Sequence, residues 1–109
     1  MDNGLYFLRV EPAGGGKAEN GGVLVLRNGR ILGGDAFFYY VGSYSGSAGS
    51  WNGDFAIKQH TRSELAVPVF GGKDATVTFE GTYTDTAADV QATSAAGSFR
   101  VTMRRIADA

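Results

Sequence analysis

The chain contains no cysteine, one histidine (His60), two prolines and one tryptophan in 109 residues. Without a thiol it can form neither disulfides nor thiolate centres, which fits a reducing compartment. A lone histidine leaves no multi-histidine or His–Cys metal arrangement to build. Charge of one sign is also missing: ten basic and eleven acidic residues give a formal net charge of −1. The basic footprint of a nucleic-acid binder is therefore absent. No apolar run approaches the ~20 residues that span a membrane as a helix. The opening "MDNGLYFLRVEP" lacks the basic and apolar regions of a signal peptide. The expectation is one cytoplasmic domain over residues 1–109, binding neither membrane nor nucleic acid directly.

Glycine, by contrast, is abundant: 17 residues, where average usage of roughly 7% gives about 8. Combined with β-branched and aromatic residues, it predicts short strands joined by tight turns. The sharpest local signal is Gly21–Asp35, "GGVLVLRNGRILGGD". Two β-rich segments flank Asn28-Gly29, the favoured pair for a two-residue type I′ hairpin. Alternation is clean later in the chain. Trp51, Phe55 and Ile57 share a face with Gly53; Val77, Phe79 and Tyr83 share another; Phe99, Val101 and Met103 share a third. Residues 84–97 fit a short helix, a weak strand or a loop, and Val67–Phe70 a short extended piece. Roughly seven or eight antiparallel strands result, with an eight-stranded barrel favoured over a sandwich. Its interior is just wide enough for side chains or one small ligand.

The first strands are apolar on both faces, unlike the later ones. Leu5 and Phe7 oppose Tyr6, Leu8 and Val10, and "FFYY" (Phe37–Tyr40) presents aromatics to each side. A bare apolar outer face is unusual on a monomer, and a second copy across a two-fold axis would cover it. Phe38, Tyr40, Leu24 and Leu26 are assigned to that face, the register near Gly33-Gly34 deciding which of the two phases points out.

Catalytic signals are sparse. His60 ends a strand on its polar face and reads as solvated. Asp35 reads as a turn residue bonding local amides, and Arg100, Arg104 and Arg105 as a solvated strand face. "GGGKAE" (Gly14–Glu19) lacks the phosphate-loop spacing and has Ala18 where a magnesium-holding hydroxyl belongs. The expectation is no enzyme, no metal and no cofactor. Around the Gly/Ser stretch, Tyr44, Ser45, Gly46, Ser47 and Trp51 form a candidate partner loop, with Trp51 alternatively plugging the barrel end. Inward Phe55, Phe79 and Phe99 are the candidate lining for a small apolar ligand.

Gly21–Asp35, followed by "YVG" at Tyr40–Gly42 and preceded by "GLYFL" at Gly4–Leu8, resembles the GrlR family of type III secretion regulators. The resemblance covers roughly the first 45 residues. It implies a calycin-like, lipocalin-type eight-stranded barrel that forms a homodimer. It further implies a regulator that binds a transcriptional activator rather than DNA. The family's acidic partner-binding run falls at Ser45–Ser50, here "SGSAGS" without a carboxylate. Its binding residues are accordingly not carried over.

Overall fold

The computed structural model describes residues 2–12, 20–62, 75–95 and 97–108. Eight antiparallel strands follow one another around a closed barrel: β1 (Gly4–Pro12), β2 (Asn20–Arg27), β3 (Arg30–Gly34), β4 (Phe38–Ser47), β5 (Ser50–Gln59), β6 (Ala75–Tyr83), β7 (Ala87–Ser94) and β8 (Gly97–Ala107). Each strand pairs with its neighbours in sequence, and β8 closes on β1. The ambiguous stretch after Thr84 is β7. Its inward residues are Ala88, Val90 and Ala92, small enough to weaken the alternation signal. Gly14–Glu19 and Val67–Phe70 lie outside the described residues.

Two hairpins turn on residue pairs in the left-handed region. Asn28-Gly29 has φ values of 51° and 83°, as the type I′ pattern requires. Asn3 reinforces it: its Oδ1 accepts the Asn28 amide at 3.0 Å, and its Nδ2 donates to Asn28 Oδ1 at 3.2 Å. The second pair is Ala48-Gly49, with φ values of 54° and 85°. Alanine in this conformation has no side-chain hydrogen bond to offset its steric cost.

A third turn carries β3 into β4. One carboxylate oxygen of Asp35 accepts the amides of Phe37 and Phe38, both at 2.9 Å. The other accepts the Tyr40 hydroxyl at 2.7 Å. This arrangement confirms Asp35 as a turn residue and also sets the phase of β4. Burial raises the Tyr40 phenol well above its ordinary value, and the Asp35 hydrogen bond and charge push the same way.

The core is the barrel interior. Tyr6, Leu26, Phe38, Tyr40, Ile57 and Val77 are fully buried there. Trp51 stands at the centre of an aromatic cluster, 4.8 Å from Phe79, 5.6 Å from Tyr44 and 6.3 Å from Tyr83 between ring centroids, all edge-on. Such pairs contribute ~0.5–1.5 kcal/mol each beyond burial. Glycines stand opposite these aromatics on the neighbouring strands. Trp51 registers against Gly46 and Gly81, Phe79 against Gly53, and Phe55 against Gly42. A Cβ on Gly53 would lie 2.8 Å from the Phe79 ring, so the aromatic occupies the glycine's missing side-chain volume.

Candidate functional site

The interior leaves a cavity of about 30 Å³, apolar throughout and bordered by Leu24, Tyr40, Trp51, Phe55, Phe79 and Met103, among others. That is water-sized. Phe55 and Phe79 border it, and Phe99 packs against the same core. The Trp51 indole N–H is buried without an acceptor.

Four residues assigned to the outer face belong inside. Phe38 and Tyr40 are 1% exposed, Leu24 6% and Leu26 0%. The reason is the register: the Asp35 turn pulls the Tyr40 hydroxyl inward, and alternation sends Tyr39 and Val41 out. The partner loop needs correcting as well. Ser45, Gly46 and Ser47 belong to β4, and the turn itself is only Ala48-Gly49. Trp51, 3% exposed, plugs the interior, and Tyr44 packs half-buried against it. His60 is exposed; its Nε2 lies 3.0 Å from the Asp35 carbonyl and its Nδ1 2.6 Å from the Thr61 hydroxyl. Among the described residues no three of His, Asp or Glu cluster as metal ligands would. No helix there is long and apolar enough to cross a membrane.

The expected asymmetry itself stands, carried by the opposite phase. Leu5, Val25, Leu32, Val41 and Ala56 register in one row across β1 to β5. A second row runs Phe7, Val23, Gly34 and Tyr39, bracketed by Arg104 on β8 and Lys58 on β5. Ile106 joins the patch where the β1–β8 register slips by one residue beside Leu5. Phe7, Val23, Leu32, Tyr39, Val41 and Ile106 are 37–49% exposed. At roughly 150–250 Å² per large side chain, they present on the order of 500 Å² of apolar surface, within the roughly 300–600 Å² of a typical monomer's largest apolar patch, which is often functional. The opposite wall differs: Thr76, Thr78, Glu80, Thr82 and Gln91 face solvent. There Arg100 bridges Asp89 at 2.6 Å and Glu11 at 3.6 Å, which holds the Asp89 carboxyl below its usual range.

The outer wall of β1 to β5 thus carries two registered apolar rows with a charged margin. No protein-family model matches the chain, and no curated relative does.

Proposed function

We propose that this barrel is a non-enzymatic regulatory or protein-interaction module of GrlR type, working in the cytoplasm through its outer apolar face. The observation that carries this reading is the pair of apolar rows across β1–β4, outside a barrel already filled by its own side chains. The largest apolar patch on a protein of this kind is often a functional contact surface. The GrlR resemblance implies two covers, a second copy and a protein such as a transcriptional regulator. Native mass spectrometry of the protein purified gently from its host separates the readings. A bound protein or a dimer supports the module, and a bare monomer counts against it.

One feature favours a second reading, a carrier of a small apolar ligand. The Trp51 N–H lacks an acceptor beside an apolar cavity, and a buried unpaired donor costs ~1–3 kcal/mol. A ligand with one acceptor atom would satisfy it, after displacing neighbouring side chains to enter about 30 Å³. A stoichiometric small adduct in the same spectrum would establish this reading instead.

A further inference from the structure

The margin of the apolar face is cationic. Arg104 and Lys58 end one row, Arg9 lies two residues beyond Phe7 on β1, and Arg27 pairs with Arg30 beside the other row. All five are exposed, and none has an ion-pair partner among the described residues. Arg9 and Arg104 flank Phe7 in a shallow cleft on the outer wall. Of the described carboxylates beside the face, Glu11 is engaged by Arg100, leaving Asp54 at one corner, opposite Ser43.

We infer that the occupant of this face is an acidic amphipathic segment of a different protein, its apolar side chains on the two rows and its carboxylates on the surrounding arginines and lysine. This rests on reading the barrel as an interaction module and specifies the partner's chemistry. Charge complementarity decides among the possible covers. The apolar rows supply on the order of 500 Å², short of the ~800 Å² per partner that a standard interface buries. A stable complex must therefore extend over the margin. Among the described residues a second copy brings the same cations and one further free carboxylate beside the face, Asp54, so its margin adds like charge to like. A lipid surface is matched less well, because the apolar groups sit in the middle of the wall. Among the described residues, the hairpin tips Asn28-Gly29 and Ala48-Gly49 carry no large apolar side chain.

The test is selection of random linear peptides against the immobilised full chain, followed by fluorescence anisotropy of the enriched peptides. The expected peptides combine apolar residues with several Asp or Glu. Their affinity should fall about tenfold or more for Leu32→Glu, and comparably for the double variant Arg9→Glu/Arg104→Glu. It should also weaken several-fold as salt rises to about 0.5 M. All substituted positions are surface groups, and circular dichroism with a thermal melt verifies that each variant folds. Enrichment of neutral or basic peptides, or affinities indifferent to these changes, overturns the inference. So does co-sedimentation with phosphatidylserine vesicles that Leu32→Glu abolishes. A sedimentation mass that is doubled in the wild type and halved by Leu32→Glu makes the second copy the occupant. That result overturns the acidic partner but leaves the interaction module standing. A monomer that enriches no peptide overturns both.

Discussion

Replacing Tyr40 with Phe removes one oxygen atom, yet that oxygen holds the inward phase of β4. Its hydroxyl donates to an Asp35 carboxylate oxygen at 2.7 Å, from a side chain 1% exposed. A hydrogen bond to a charged group contributes ~1.5–3 kcal/mol, so Tyr40→Phe should destabilise by ~2 kcal/mol. Asp35→Ala does more. It removes the acceptor for the Phe37 and Phe38 amides, at ~1 kcal/mol each by analogy with helix caps. It also strands the buried hydroxyl, for a total of ~4 kcal/mol. The double variant should then cost ~4 rather than ~6 kcal/mol, because the stranded hydroxyl is gone, giving a coupling of ~2 kcal/mol. Urea unfolding at pH 7, followed by the fluorescence of the sole tryptophan, Trp51, measures all three. Additivity within ~0.5 kcal/mol would refute the argument. The pH dependence gives an independent reading. The Tyr40 phenol titrates higher in the folded chain than in the unfolded one. Its contribution is therefore fully present below pH ~10, and is lost as pH rises from there toward the folded value. Tyr40→Phe should flatten that alkaline decline. Tyr6, shifted in the same direction mainly by burial, should leave a residual slope.

Other expectations concern the glycines, the second hairpin and the acid limb. Gly53→Ala should destabilise by ~2 kcal/mol or more, since the new Cβ meets the Ser43 carbonyl as well as the Phe79 ring. Adding Phe79→Leu should recover part of that loss in the same urea assay. Ala48→Asn or Ala48→Gly should stabilise by ~0.5–1 kcal/mol by relieving a left-handed alanine. An unchanged or lowered Tm in both variants would contradict that. The Asp89 carboxyl titrates below its ordinary value through Arg100, so its contribution is present above pH ~4 and disappears as pH falls through the folded value. Asp89→Asn should thus reduce the acid sensitivity of the melt, while a steeper acid limb would reject the assignment.

Much of the barrel was legible because hydrophobic amplitude and turn chemistry agreed. Asn28-Gly29, and the alternation in β5, β6 and β8, placed both turn and faces correctly. The errors share one physical origin, segments whose two faces look alike. Where the Asp35 turn enters β4, Phe38 and Tyr40 compete with Phe37 and Tyr39 on equal hydrophobic terms. Phase is decided by a hydrogen bond from Tyr40 to Asp35, five residues away, which hydrophobicity does not report. "SGSAGS" reads as a loop from its composition. In the barrel Gly46 is required as a strand residue, because a Cβ there would lie 2.8 Å from the Trp51 Cβ and 3.1 Å from the Tyr83 ring. The signal for that was present in the sequence as a large aromatic near a glycine, but only register makes the two neighbours. The cationic margin was invisible for a similar reason. Arg9, Lys58 and Arg104 are far apart along the chain, and only the pairing of β1 with β8 and of β4 with β5 assembles them.

Closure of the barrel also settles the manner in which anything can dock on it. An open sheet lends a visiting peptide its spare backbone N–H and C=O groups, so the guest joins as one more strand with little regard to sequence. Here every strand already has two hydrogen-bonded neighbours, and that route is shut. Recognition on this wall must be written in side chains alone. Selectivity is then evolvable one residue at a time, without disturbing the main-chain ladder that keeps the barrel closed.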